Sequence, residues 1–311
     1  MIPDYQSLMR LVLECAASGP RQISDVVQDI SDRLNLSEAE RAQMLPSGKQ
    51  TVIANRVHWA RSYLKQAGLV HNTQRGWYEL TQRGQATLAD PNIVVNNKYL
   101  QQFDDYQEFM SRRKDGTTDD AANGSPETLT PDDETSTPDE RLQEAHRKLQ
   151  TALAANLLDN VRAASPAFFE QLIVDLLIAM GYGGTSDDAG RALGQSGDNG
   201  IDGVIDQDPL GVDQIYLQAK RYAAHVTVGS GEIRDFFGAL SLKKASKGIF
   251  VTTSRFSPSA TQTARDLGLR IVMIDGAHLA KLMIAYNVGC RDKDILHIKQ
   301  IDEGYFEETA G

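Results

Sequence analysis

Gly197-Asp198-Asn199-Gly200-Ile201-Asp202-Gly203-Val204-Ile205, followed by Ile215-Tyr216-Leu217-Gln218-Ala219-Lys220, is the stretch on which the reading of this chain turns. Residues 201–205 and 215–220 are β-branched runs with Gly, Pro and Asp between them, the pattern of two short strands. Side chains alternate faces along a strand. Gln218 and Lys220 therefore share one face, and Ile215, Leu217 and Ala219 share the other. Asp202 and Val204 share a face of the preceding strand. Pairing of the two strands lets Asp202, Gln218 and Lys220 meet on one surface. A carboxylate, an amide oxygen and an ammonium at one point suit a hard divalent ion, an activated water and a phosphate.

The plain alternative is a hairpin with a polar, solvated face. Against it stand the glycine-rich loop before Asp202, the apolar face behind Lys220 and an upstream helix carrying Glu170. A calcium loop is a third option. Asp198, Asp202 and Gly203 fit its positions, but Gly200 takes a ligand position and Pro209 stands where a bidentate Glu is required.

Taken together, Phe169-Glu170, Met180-Gly181-Tyr182, the Gly-Asp-x-Gly-Ile-Asp-Gly run at 197–203, Gln218-Ala219-Lys220 and Val251-Thr252-Thr253-Ser254-Arg255-Phe256 resemble the catalytic domain of Mrr-type restriction endonucleases, a branch of the PD-(D/E)XK nuclease superfamily. The first hundred residues resemble the N-terminal module of that family. The likeness spans nearly the full length apart from a linker. It implies a modification-dependent (type IV) restriction enzyme that cuts methylated, foreign double-stranded DNA. One departure from the wider superfamily is visible: Gln218 stands where many relatives carry Asp or Glu, which removes one negative charge from the metal site.

The expected chemistry is phosphodiester hydrolysis. Asp202 and Gln218 hold Mg2+, for which Mn2+ can substitute, and Glu170 completes the shell directly or through water. Lys220 orients or deprotonates the attacking water, or neutralises developing charge. Asp198 either joins the metal shell or satisfies turn amides, the commoner use of a loop aspartate. Thr252, Thr253 and Ser254 end a strand and either bind DNA phosphates or cap that strand. No phosphate-binding Gly-x-x-x-x-Gly-Lys-Ser/Thr loop is present, so no ATP is expected. Gly-x-Ser-x-Gly is absent and the six histidines are dispersed. Two rival functions remain open at this point: a structure-specific repair nuclease, and a DNA-binding regulator without catalysis.

A net charge of −10 is unpromising for a DNA partner until its distribution is considered. Residues 115–140 contain nine acidic residues and no Lys or Arg, nearly the whole excess. Residues 41–83 and 214–270 each carry a net +6. Phosphate binding follows the local field rather than the whole-chain sum. No stretch approaches the ~20 apolar residues of a membrane span, and the start lacks a secretory signal. Cys15 and Cys290 read as reduced thiols of a cytoplasmic protein.

Organisation follows from periodicity and breakers. Residues 5–17, 23–34, 38–45 and 50–67 read as helices, the last ended by Gly68. Leu69-Val70 and Trp77-Tyr78-Glu79-Leu80 flank a turn cluster at 72–76, hence a hairpin, and a short helix follows Thr81. Helices plus a two-stranded wing make residues 1–90 a winged helix, whose later helix enters the major groove in helix-turn-helix proteins. On its outer face lie Asn55, His58, Ser62 and Lys65, with Arg56 and Arg61 at the edges and Arg75 at the wing tip. These are the candidate DNA contacts. Residues 91–140 form a partly ordered segment and an acidic flexible linker. A linker helix at 141–164 leads to an α/β/α catalytic domain with a mixed sheet at 165–290, then a tail at 291–311. Ser165-Pro166 is an N-cap followed by proline at the first helical position. Cutting both strands needs two active sites, so at least a homodimer is expected on DNA.

Overall fold

The computed structural model describes residues 1–115, 135–183, 201–208, 212–302 and 305. Asp198 and most of the acidic linker lie outside the described residues. Two compact units emerge, Met1–Arg147 with Ile298–Gly311, and Lys148–His297.

The first unit begins with α1 (Tyr5–Cys15), whose N-cap Asp4 accepts from Gln6 N at 2.9 Å and Ser7 N at 3.1 Å. Strand β1 (Arg21–Gln22), α2 (Ile23–Arg33) and α3 (Glu38–Arg41) follow. Helix α4 (Val52–Gln66) is capped by Thr51 and closed by Gly68 at φ +69°, a left-handed value that favours glycine. Strands β2 (Val70–Gln74) and β3 (Trp77–Leu80) form the expected hairpin, turning at Gly76 (φ +71°). The third helix is shorter than its apolar pattern suggests. The wing gains a strand, because β1 pairs with β3 to give the order β1-β3-β2.

Helix α5 (Gln82–Ala89) closes against the wing at Gly84, where a Cβ would stand 2.0 Å from Leu69 O. Helices α6 (Asn97–Leu100) and α7 (Asp104–Asp115) extend the unit past residue 90. Val95, Leu100 and Tyr106 are buried in the same core as Leu8, Val12, Ile30, Val57 and Leu64. The first core therefore extends well beyond the expected boundary, and it recruits the apolar residues of the segment expected to be only partly ordered.

Helix α8 (Pro138–Ala163) begins in the first unit and contributes Leu157 and Val161 to the second core. Helix α9 (Pro166–Ala179) starts as expected, with Ser165 Oγ accepting from Phe168 N at 3.1 Å. The sheet uses β4 (Gly203–Asp206), β5 (Gln214–Lys220), β7 (Lys247–Thr252) and β9 (Arg270–Ile274) in the order β4-β5-β7-β9. The first pair is antiparallel and the others parallel, so the sheet is mixed. A small parallel pair, β6 (Thr227–Val228) with β8 (Arg255–Phe256), lies apart from it.

Helices cover both faces of this sheet. Leu157, Phe169, Ile173, Leu177 and Met283 pack with Ile205, Ile215, Leu217, Ile249 and Val251 on one face. On the other, α10 (Ser230–Leu242) and α11 (Pro258–Asp266) bring Ile233, Phe236, Leu240, Ala260 and Ala264 against Val204, Tyr216 and Phe250. Helix α12 (Gly276–Ala285) completes the first of these layers. The alternation of Ile215 and Leu217 with Tyr216 and Gln218 is thus the sheet's partition between two cores.

Candidate active site

The pairing of β4 with β5 brings the decisive residues together. Gly203 faces Leu217 in the antiparallel register of β4 and β5. Asp202, one residue before β4, donates from its N to the O of that same Leu217 at 2.8 Å, so it too lies against the end of β5. Asp202 Oδ2 accepts from Ala219 N at 2.7 Å, which anchors the carboxylate at the end of β5. Gln218 is 5% exposed, and its Oε1 has no hydrogen-bond partner among the described residues. An unsatisfied buried oxygen costs about 1–3 kcal/mol, which makes this atom a candidate for an external ligand.

Lys220 is half-buried at the end of β5. Its carbonyl accepts from Thr252 Oγ1 at 2.8 Å and from Thr253 N at 3.3 Å. Glu170, the fifth residue of α9, is half-buried as well. Burial pushes its carboxyl above the ordinary range, the Asp202 carboxylate pushes it further, and the Lys220 ammonium partly offsets both. Glu170 therefore shares one electrostatic neighbourhood with Asp202 and Lys220. Among the described residues no group of three or more His, Cys, Asp and Glu is assembled. The donor set is mixed instead: two carboxylates and an amide oxygen, all hard oxygens suited to an ion such as Mg2+.

Thr252, Thr253 and Ser254 require correction as DNA contacts. All three are buried, at 0%, 0% and 3% exposure. Thr252 Oγ1 also lies 3.0 Å from Ser254 Oγ, and Thr253 Oγ1 donates to Tyr222 O at 2.6 Å while accepting from Tyr222 N at 2.8 Å. Their hydroxyls tie the ends of β5 and β7 together, the strand-capping alternative. Two arginines join this brace and carried no signal in the sequence beyond the basic doublet Lys220-Arg221. Arg221 Nη1 donates to Arg162 O, and Arg162 Nη2 donates to Thr253 O at 2.8 Å.

On α4 the candidate DNA contacts divide. Lys65 and, at the wing tip, Arg75 are exposed, and His58 and Arg61 are half-buried. Asn55 does not face solvent: it is 2% exposed. Its Nδ2 donates to Asp139 Oδ2 at 2.7 Å, and its Oδ1 accepts from Thr137 Oγ1 at 2.7 Å. Arg56 is committed too, to Glu140 at 2.8 Å and to the carbonyls of Ile2 and Pro3. The helical period identified the side of α4 facing away from its own seam, but a segment from far along the chain covers part of that side.

Residues 161–283 match the family model described as Restriction endonuclease, and residues 5–90 match the one described as Mrr N-terminal domain. A relative from Escherichia coli (strain K12), described as Type IV methyl-directed restriction enzyme EcoKMrr, is 36% identical over 316 residues, covering 98% of this chain and 99% of its own. Similar solved structures include the MspJI restriction endonuclease in complex with a 27-mer oligonucleotide, at 17% identity and a TM-score of 0.35 over 66% of this chain and 42% of that one. Another is the DNA modification-dependent restriction endonuclease AspBHI, at 16% identity and a TM-score of 0.37 over 69% of this chain and 53% of that one.

Proposed function

Because the chain belongs to the Mrr family of restriction endonucleases, we propose that it cuts methylated, foreign double-stranded DNA with Mg2+ at a site built from Asp202, Gln218, Lys220 and Glu170. The observation that carries this reading is the buried Oε1 of Gln218, without a partner among the described residues, next to Ala219, whose N holds the Asp202 carboxylate. Asp202, Gln218 and Glu170 would hold the ion. When bound, it supplies Lewis-acid polarisation of the scissile phosphate and a lowered pKa for attacking water.

The chain's own groups do the rest. Ala219 N fixes the Asp202 carboxylate, so no reorganisation is needed when substrate arrives. The Lys220 ammonium, on a strand end clamped by Thr252 and Thr253, orients the attacking water and neutralises charge on the phosphate oxygens. Phosphate contacts position the duplex without reading sequence. Recognition of the methyl group is assigned to the first unit, where a major-groove contact can sense it. Lys65, Arg75, Arg61 and His58 are the groups offered to DNA there. Two copies of the chain on one duplex cut both strands, and no ATP enters the reaction. Described helices include none long and apolar enough to cross a membrane.

The test is cleavage of methylated and unmethylated copies of one plasmid by the purified chain, with and without Mg2+. The expected result is cutting of the methylated copy alone, dependent on the ion. Equal rates on both copies overturn the methyl preference, and cutting in EDTA overturns the metal mechanism.

A further inference from the structure

The contact between α4 and the start of α8 is more than a surface salt bridge. Thr137 is fully buried and Asn55 nearly so. The Arg56 and Glu140 side chains keep 20% and 16% of their exposure. Trp59 Nε1 donates to the same Asp139 Oδ2 that accepts from Asn55, at 3.0 Å. Two carboxylates of the acidic segment have therefore taken the amide, indole and guanidinium donors on one side of the helix. These are the donor types that read base edges and grip phosphates. A carboxylate offers them paired acceptor oxygens, as a phosphate does.

Beside this contact lies an open cleft of about 480 Å³, lined by Lys49, His58, Arg61 and Ser62 as well as by Asp139. Basic and polar groups meet there at the rim of a bound acid. The carboxylates of Asp139 and Glu140 held there lower the local attraction for a polyanion.

We propose that the acidic residues Asp139 and Glu140 act as a resident competitor for DNA on the α4 face, an autoinhibitory contact that duplex phosphates must displace. This rests on the reading of α4 as the DNA-facing helix. Glu140 also has a purely structural role in a capping box. Its Oε2 accepts from Thr137 N at 2.8 Å while Thr137 Oγ1 accepts from Glu140 N at 3.2 Å. The experiment must separate competition from support. Glu140→Gln keeps an acceptor at the capping position and removes the charge, and Asp139→Asn does likewise for Asn55 and Trp59.

Binding of the full chain to a short fluorescent methylated duplex is measured without divalent ion at low salt. The paired variant Asp139→Asn with Glu140→Gln is expected to bind about tenfold tighter than the parent. Asp119→Asn with Asp120→Asn removes the same charge elsewhere in the run and is expected to change Kd less than about threefold. Equal tightening by both pairs, or none by the first, overturns the proposal. His58→Ala with Lys65→Ala tests the underlying reading. If that pair weakens binding while the acidic pair tightens nothing, competition alone falls. If it leaves Kd unchanged, the α4 reading falls and the proposal with it. Should the first pair melt well below the parent, Glu140→Gln alone decides by the same criterion.

Discussion

At the end of β5, Gln218 is buried with an oxygen that no described residue satisfies. On α4, Asn55 is just as buried, yet its amide is engaged at both ends by Thr137 and Asp139. The same chemical group is thus held in opposite states. One carries the cost of an unmade hydrogen bond, which a ligand of the proposed site would relieve. The other has its bonds already and loses them if a ligand enters. Unsatisfied buried atoms point to chemistry awaiting a partner, whereas satisfied ones point to architecture or to a contact that must be exchanged. The two basic regions of the sequence therefore differ in a way that charge alone does not reveal.

The sharpest way to break this contrast is at the catalytic end. Asp202→Ala and Lys220→Ala are each expected to lower cleavage at least about a thousandfold, measured as Mg2+-dependent nicking of supercoiled methylated plasmid. DNA affinity should stay within about threefold of the parent, because phosphate contacts elsewhere carry most of the binding. Substantial nicking by purified Asp202→Ala would remove the site from β4 and β5 altogether.

Next comes the architectural end. Asn55→Ala removes the acceptor of the buried Thr137 hydroxyl and one of the two donors to Asp139 Oδ2, leaving that oxygen with Trp59 Nε1. The expected loss is about 2 kcal/mol of stability, read by urea unfolding, whereas Lys65→Ala on the exposed side should change stability by less than about 0.5 kcal/mol. Equal effects would mean that Asn55 is not held as described.

Thr252→Val bridges the two behaviours, since Thr252 lies beside Lys220 yet has its hydroxyl bonded. It removes the hydroxyl that holds the Lys220 carbonyl. About 1 kcal/mol of stability and roughly a tenfold loss in kcat with little change in KM are expected. A change in KM alone would argue for direct DNA contact by the hydroxyl.

The smallest effect concerns Glu170. Its folded pKa is raised, so the charged carboxylate is disfavoured by folding. The associated stability is fully present below the ordinary glutamate range and is lost as pH rises through the raised value. Glu170→Gln should therefore melt slightly higher than the parent at neutral pH, by less than about 1 kcal/mol given the group's exposure. The difference should close in acid. A lower melting temperature at neutral pH would place a stabilising partner on this carboxylate.

Much of this molecule is written in local rules. The two-residue period of β5 assigned Gln218 and Lys220 to one face, and the pleat left no other choice once β4 paired antiparallel to it. Ser165-Pro166 announced α9 through the chemistry of a helix start. Gly68 ended α4 because the chain needs a positive φ there. These features depend on neighbouring residues alone, which is why the strands, the wing hairpin and the helix ends were legible in advance.

Tertiary packing decided the remainder. Helical periodicity tells which side of α4 faces away from its own core, but not what arrives to cover it. That cover comes from 84 residues away, where Asp139 meets Asn55 and Glu140 meets Arg56. In the same way, Thr252, Thr253 and Ser254 have the composition of an exposed strand end, and only the adjoining β5 and Tyr222 consume their hydroxyls. A polar side chain carries its donors and acceptors in the sequence. Whether those atoms meet water, a ligand or another part of the chain depends on desolvation by distant segments, which no local period records.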